Sequence, residues 1–243
     1  MDDLITKTVL TNGLTVVTEH IPSVKSVTAG IWVKSGARHE TQKQAGVTHF
    51  LEHMLFKGTK NRTAFEIAQS MESVGGYLNA FTSTEYTCYY ARCLDTELTT
   101  ALDVLSDMVM NPIFPKEEIE KEKKVVIEEM KMYRDSPDDY LFEEFTSHLF
   151  QNHPLGRPIL GYEETVSAFS DADLFQYMRD RYAPENLIVA VAGKVDHDTV
   201  LQYCQRVLTS QDRQLVEHPI EVLSPLDTTP LSLTKSIEQT HYI

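Results

Sequence analysis

The sequence predicts an α+β protein in which a mixed, mainly antiparallel sheet packs against several helices. Strand-like and helix-like segments are interspersed without a regular βαβ rhythm, which disfavours a doubly wound parallel sheet. The chain has 243 residues, 42% of them hydrophobic, so it can bury a sizeable core without disulfides. It contains no dinucleotide fingerprint, phosphate-binding loop or nucleophile-elbow motif, which disfavours the common nucleotide-binding and serine-hydrolase chemistries.

Strands are indicated by β-branched and aromatic runs bounded by turn residues. Residues 8 to 19 predict a hairpin, because Asn12-Gly13 supplies the two positive-φ positions of a type I′ turn. Residues 77 to 94 are rich in Tyr, Thr, Phe and Cys and predict two strands joined near residues 83 to 85. Further strands are predicted at residues 27 to 34 and 187 to 192.

Helices are bounded by capping and breaking residues. Gly58 ends a helix predicted at residues 45 to 57, and Thr63 with Glu66 forms a capping box that begins the next. The longest helix begins at Pro115 and carries an apolar series through residues 119 to 133. Further helices are predicted near residues 98 to 109, 139 to 150, 171 to 182 and 198 to 208.

Charge and cysteine content narrow the class of protein. Twenty-two basic and 36 acidic residues give a formal net charge of −14, which argues against a nucleic-acid partner. Three cysteines without a CxxC pair indicate a reduced compartment. The acidic start and the lack of a long apolar run predict no targeting peptide and no membrane partner. We therefore expect a cytoplasmic protein.

The stretch His49-Phe50-Leu51-Glu52-His53 carries the candidate chemistry. At about 100° per residue, both histidines and Glu52 lie on the face of their helix opposite the apolar residues. The two imidazoles are separated by about 6 Å of axial rise, so both can reach one metal ion. Glu52 is displaced from both and is placed to take a proton from a metal-bound water. Two histidines near an acid that merely tunes them are the alternative.

A hydrolytic zinc site needs a third protein ligand. On the longest helix, Glu122 and Glu129 lie within the same arc of about 100° as the apolar residues, whereas Glu128 points away. Because a buried, unpaired carboxylate is costly, each needs a partner. A buried ion pair with Lys123 or Lys124 is the plainer explanation. Beside the histidine helix, Glu129 becomes the candidate third ligand and Glu122 a supporting carboxylate.

These residues resemble a known family, the inverted-motif zinc peptidases that include pitrilysin, insulin-degrading enzyme and the mitochondrial processing peptidase. The family signature is HxxEH followed about 75 residues later by a glutamate ligand. The spacing from His53 to Glu129 is similar to that signature. Nearly the whole chain resembles the family, most like its short bacterial and processing-peptidase branch. Family-like segments occur in the family order at residues 10–14, 36–41, 49–59, 77–82 and 182–187.

The resemblance implies residue roles. His49, His53 and Glu129 would bind Zn²⁺, Glu52 would be the general base, and Glu122 would support the site. The resemblance also implies that an edge strand pairs with an extended peptide, although an ordinary sheet strand would have a similar composition. That strand contains Leu78, Asn79, Ala80, Phe81 and Thr82.

The resemblance implies that this chain is one half of a two-domain clamshell, which a second homologous domain closes. The resemblance implies a zinc peptidase catalytic domain at residues 1–210, a Pro-punctuated linker at 211–234 and the start of a truncated second domain at 235–243. We expect a second homologous domain or partner subunit, and a dimer.

The implied activity is a zinc-dependent endopeptidase acting on extended peptides or unfolded segments. The substrate would be a basic peptide if acidic residues surround the cleft, and the 243-residue chain alone would be weakly active or inactive. A non-catalytic half that binds a peptide or a partner in a heteromeric peptidase is the alternative.

Overall fold

The computed structural model describes residues 4–151, 153–208, 213–216, 226–235 and 240–243. Six strands form one sheet at its centre. They are β1 (Ile5–Val9), β2 (Thr15–His20), β3 (Ser26–Val33), β4 (Tyr77–Thr82), β5 (Thr87–Leu94) and β6 (Leu187–Gly193). Their order across the sheet is β1-β2-β6-β3-β5-β4, which leaves β1 and β4 at the two edges.

The sheet is mixed and mainly antiparallel, as predicted. Only β2 and β6 run parallel to each other among its neighbouring pairs within the described residues. The central strand β3 pairs on both sides, so that Ile31 lies between Tyr89 of β5 and Val189 of β6. Successive side chains of a strand alternate between its two faces. Val27, Ala29 and Val33 therefore point into the core on the same face as Ile31, while Trp32 lies on the other face.

Helices supply the other layer of the core. They are α1 (Val47–Leu55), α2 (Ala64–Glu72), α3 (Leu98–Met110), α4 (Lys116–Asp135), α5 (Pro137–Leu149), α6 (Glu163–Ala168), α7 (Asp171–Arg181) and α8 (His197–Val207). Helix α3 packs on β3 and β5, and α1 packs against α4. None of the helices in the described part of the chain is long and apolar enough to cross a membrane.

Most element boundaries follow the local sequence signals. The helix predicted at residues 45 to 57 spans Val47–Leu55, and the longest helix begins directly after Pro115. The first hairpin differs, because its loop is one residue longer than a type I′ turn. Gly13, at φ +86°, donates its backbone N–H to the carbonyl oxygen of Leu10 at 2.9 Å, and the N–H of Leu10 donates to the carbonyl oxygen of Leu14. The short helix α6 was not predicted.

The predicted linker and second-domain start are only partly described. Residues 213–216 and 226–235 contain no helix or strand, and neither do residues 240–243. The guanidinium of Arg213 is nevertheless tied to the first domain, since it donates a hydrogen bond to the backbone carbonyl of Val109 at 3.0 Å. The boundaries at residues 210 and 235 remain predictions, and residues 236–239 lie outside the described residues.

Candidate metal and catalytic site

Helix α1 has two unlike sides. Phe50, Leu51 and Met54 are fully buried in the core. On the other side, the ring centroids of His49 and His53 lie 4.6 Å apart, one helical turn from each other. The apolar side anchors the helix, and the polar side turns both imidazoles towards α4. This is the arrangement that the sequence periodicity predicted.

Glu129 of α4 completes a group of three possible metal ligands. Its Oε2 atom lies 3.7 Å from His49 Nε2 and 3.6 Å from His53 Nε2. The ligand atoms of the three residues all lie within 4.8 Å of one another. In a tetrahedral zinc site with bonds of about 2.0–2.1 Å, neighbouring ligand atoms are about 3.4 Å apart. The three side chains therefore fit a zinc ion with only small adjustments.

Glu122 orients His53 from behind. Its Oε1 atom lies 2.8 Å from His53 Nδ1, and its Oε2 atom lies 2.6 Å from the Nζ of Lys57. Burial favours the neutral carboxyl, yet the hydrogen bonds to His53 and Lys57 hold the pKa of Glu122 below its ordinary value. Since a carboxylate only accepts hydrogen bonds, His53 Nδ1 carries a proton, which leaves Nε2, on the side of Glu129, as the atom that could bind a metal.

The two imidazoles have different electrostatic surroundings. Burial, followed by the charge of neighbouring His53, lowers the pKa of His49 to about 3, so this imidazole is neutral. Burial also disfavours the charged form of His53, but its hydrogen bond to Glu122 and the nearby carboxylates raise its pKa above the ordinary value. A neutral imidazole is the form that binds metals. His49 is thus ready to bind a cation, and a metal would displace the proton from His53.

The side chain of Glu52 extends from α1 to the edge strand β4. The hydroxyl of Thr82 in β4 donates a hydrogen bond of 2.5 Å to Glu52 Oε2. Burial raises the pKa of Glu52 above its ordinary value, although this hydrogen bond and the charge of His53 oppose the shift. A carboxylate whose pKa is raised towards neutrality is a more effective proton acceptor and donor near neutral pH.

A cleft of about 380 Å³ opens beside His49 and Glu52. This volume is within the range of about 300–1,000 Å³ common for ligand pockets. One wall is the end of β4, with Ala80, Phe81 and Thr82, and the opposite wall is α5 with the loop that follows it. The charged residues lining the cleft, besides Glu52, are Asp139, Glu143 and Arg157.

A scan against protein-family models finds two matches that together cover most of the chain. Residues 15–163 match the model described as insulinase, peptidase family M16. The chain belongs to the insulinase family, M16. Residues 168–241 match the model described as the peptidase M16 inactive domain.

Several bacterial relatives of this M16 chain carry zinc protease names. The chain is 44% identical over 230 residues to the "Uncharacterized zinc protease YmxG" of Bacillus subtilis (strain 168), covering 95% of this chain and 56% of that protein. It is 49% identical over 195 residues to the "Uncharacterized zinc protease ML0855" of Mycobacterium leprae (strain TN), covering 80% of this chain and 44% of that protein. The M16 chain thus spans about half the length of these relatives.

Solved structures of two bacterial proteases show the same fold. A protease from Helicobacter pylori superposes with a TM-score of 0.82 at 27% identity, covering 91% of this chain and 53% of that one. The periplasmic protease PqqL from Escherichia coli superposes with a TM-score of 0.83 at 24% identity, covering 92% of this chain and 26% of that one. The predicted fold class and family resemblance are confirmed, and the zinc protease names agree with the predicted Zn²⁺ cofactor.

The structure brings together the five predicted site residues of α1 and α4, and the predicted strand residues Ala80, Phe81 and Thr82 line the cleft beside them, whereas Leu78 and Asn79 lie outside its lining. One predicted partner is different. Lys123 or Lys124 was the cation predicted near Glu122 and Glu129, but Glu122 pairs with Lys57, and Lys123 pairs with Glu120. Glu128 points away and pairs with Lys131, as the helix geometry predicted. The contact of Lys57 was missed because it depends on how α1 packs against α4, which has no local signal.

Proposed function

We propose that this chain is the zinc-binding half of an M16 endopeptidase. The observation that carries the proposal is the group of His49, His53 and Glu129, with ligand atoms within 4.8 Å of one another beside the half-buried carboxyl of Glu52. A zinc ion held there would lower the pKa of water and polarise a peptide carbonyl. The relatives from Bacillus subtilis and Mycobacterium leprae, about half of whose length this chain covers, carry zinc protease names, which supports this assignment.

Glu52 is the proposed general base and acid. It takes a proton from water as the oxygen forms a bond to the carbonyl carbon, and it returns that proton to the departing amide nitrogen. Thr82 fixes one Glu52 oxygen by its hydrogen bond, which leaves the other oxygen to handle the proton. The raised pKa of Glu52 matches both steps better than that of an exposed carboxylate.

The edge strand β4 is the proposed docking strand for an extended peptide. Within the described residues it pairs with β5 alone, so its outer edge has backbone groups to offer. A peptide that adds to this edge passes the cleft wall formed by Ala80, Phe81 and Thr82, next to His49 and Glu52. Backbone pairing of this kind binds extended chains with little dependence on sequence. Leu78 and Asn79 continue the same strand.

Acidic residues on the opposite wall favour a basic peptide. Asp139 and Glu143 line the cleft, where Arg157 is the cation. Replacing Asp139 with Asn and Glu143 with Gln together is expected to lower kcat/KM for an Arg-containing peptide by about 3- to 10-fold relative to its Gln counterpart, since a partly exposed charge pair contributes about 1 kcal/mol. Glu164, which lies outside this lining, gives the control Glu164→Gln. An unchanged preference in the double variant would refute the basic substrate.

Activity is proposed to need a second homologous half or partner subunit, in keeping with the half-length match to the relatives. The test is Glu52→Gln in the enzyme assembled with its second half. We expect this variant to retain one zinc per site and to lose cleavage of an unfolded protein substrate. Cleavage at the wild-type rate would refute Glu52 as the base. Normal assembly without cleavage by the wild type would instead favour the non-catalytic, partner-binding alternative.

A further inference from the structure

Besides Glu122, a second buried acid lies next to α1, and it contacts none of the three proposed metal ligands. Glu40 is only 4% exposed. Its Oε2 atom accepts a hydrogen bond from the backbone N–H of Gly46, and its Oε1 atom accepts one from the backbone N–H of Thr48, both at 2.8 Å. We propose that Glu40 is a positioning residue that holds His49 in register with the other ligands. This inference rests on the proposed function, because it takes those ligands to bind zinc.

The first turn of α1 depends on an acceptor from elsewhere in the chain. The first N–H groups of a helix have no partner within the helix. The residue before α1 is Gly46, at φ +89°, which has no side chain to cap them. Thr48 is fully buried, so water cannot replace the missing acceptor. Glu40 fills this role from outside the helix, and it does so at the residue immediately before His49.

The position of that first turn affects the metal site directly. His49 is the third residue of α1, whereas His53 is one turn further along and is held separately by Glu122. A shift confined to the first turn therefore moves one imidazole relative to the other. The Oε2 atom of Glu129 lies 3.7 Å from the Nε2 atom of His49 and 3.6 Å from that of His53. Such a shift would make these two distances unequal, and the three side chains would no longer fit one zinc ion.

A network of buried hydroxyl groups also supports the first turn of α1. The Thr48 Oγ1 atom lies 2.8 Å from the hydroxyl of Tyr177 in α7. That hydroxyl lies 3.0 Å from the Oγ of Ser35, which follows β3. Glu40 and Tyr177 thus hold Thr48 through its backbone and its side chain, respectively.

The Glu40 segment also joins the metal helix to the cleft wall. Arg157, which lines the cleft, donates a hydrogen bond to the backbone carbonyl of Glu40. Gly46 packs directly on Leu160, another lining residue, so closely that a Cβ atom would lie 2.4 Å from the Leu160 carbonyl oxygen. The segment from Glu40 to Gly46 therefore connects α1 to the residues that line the cleft.

The test is the zinc affinity of Glu40→Gln, measured by competition with a chromophoric chelator at pH 8. This pH lies above the value of about 7 to which burial raises the pKa of Glu40. A glutamine can accept one of the two N–H bonds, while its amide NH₂ group faces the other donor. We expect the zinc dissociation constant to rise about 10-fold, as for other residues that orient metal ligands. The absorption bands of the Co²⁺-loaded variant should also shift.

Glu66→Gln is the matched control. Glu66 accepts a hydrogen bond from the backbone N–H of Thr63 at the start of α2, but it is exposed and belongs neither to the possible ligand group nor to the cleft lining. Its zinc affinity should stay within 2-fold of wild type. A purely structural role for Glu40 would lower stability without changing the affinity of the folded protein. Wild-type affinity and an unchanged Co²⁺ spectrum in Glu40→Gln would therefore overturn the inference.

Glu40→Asp decides the question if Glu40→Gln does not fold. It keeps the charge, but its shorter side chain cannot accept both backbone N–H groups in the same geometry, so the zinc dissociation constant should rise about 3-fold or more, and unchanged affinity would overturn the inference. Failure of the wild-type chain to bind zinc would overturn the proposed function and this inference with it. Zinc binding by the wild type with no effect of either variant would overturn this inference alone.

Discussion

Glu122→Gln tests how the buried carboxylate supports the metal site. Glu122 is 5% exposed and makes charge-assisted contacts of 2.8 Å with His53 Nδ1 and 2.6 Å with Lys57 Nζ. Glutamine can still accept the hydrogen bond from His53, but without the charge. A hydrogen bond to a charged group contributes about 1.5–3 kcal/mol and a neutral one about 0.5–1.5 kcal/mol, so the loss is about 1–2 kcal/mol. Zinc affinity should therefore fall about 5- to 30-fold.

The assay is competition between the protein and a chromophoric chelator for zinc at 25 °C and neutral pH. Glu120→Gln provides the control on the same helix, because the Glu120 side chain is 67% exposed and pairs with Lys123 instead of with a proposed metal ligand. Its affinity should match wild type, and circular dichroism should show both variants folded. An affinity of Glu122→Gln within 2-fold of wild type would refute the argument that this carboxylate orients His53.

Two further predictions concern the segments that flank α1 and α2. Gly46→Ala should lower the free energy of unfolding by about 2–4 kcal/mol, since φ is +89° and a Cβ atom would lie 2.4 Å from the Leu160 carbonyl oxygen. Gly75→Ala, at φ +66° with no atom within 4 Å of its Cβ, should cost only about 1 kcal/mol, and equal losses in urea unfolding would contradict the close approach at Gly46. Asp107→Asn should lower stability by about 2–4 kcal/mol at pH 7, because Asp107 accepts hydrogen bonds from Thr59, Asn61, Asn111 and Arg62. Burial opposes ionisation of Asp107, but these bonds hold its pKa below the ordinary value of 3.8, so its contribution is full above pH 4 and is lost as pH falls through the folded-state pKa. The difference from wild type should shrink at pH 3, and a difference independent of pH would count against this origin.

Helical periodicity was sufficient to predict which helix residues come together at the proposed metal site. The separation of apolar and polar residues on α1 placed His49, Glu52 and His53 on one side, and the stripe on α4 selected Glu129 over Glu128. Both inferences concern residues within one helix, where spacing of three or four residues determines the face. The structure agrees, since Glu129 lies within 3.7 Å of both imidazoles while Glu128 pairs with Lys131 on the outside.

Contacts between elements were beyond the reach of such patterns. Lys57 lies next to Glu122 because α1 and α4 pack together, whereas Lys123, which is nearer in sequence, pairs with Glu120. The hydrogen bond from Thr82 to Glu52 depends on how β4 packs beside α1. Glu40 lies in a segment without periodicity, and its polar character gave no sign that both oxygens cap a helix. Tertiary packing decides each of these contacts.

The assignment of the metal ligands can be tested most directly by the zinc content and affinity of the purified 243-residue chain and two glutamate variants. Wild type and Glu128→Gln should each bind one zinc per chain with the same affinity. Glu129→Gln should bind zinc at least about 10-fold more weakly, because it loses an anionic ligand. A wild-type chain that binds no zinc, or equal affinities for the two variants, would contradict the site formed by His49, His53 and Glu129.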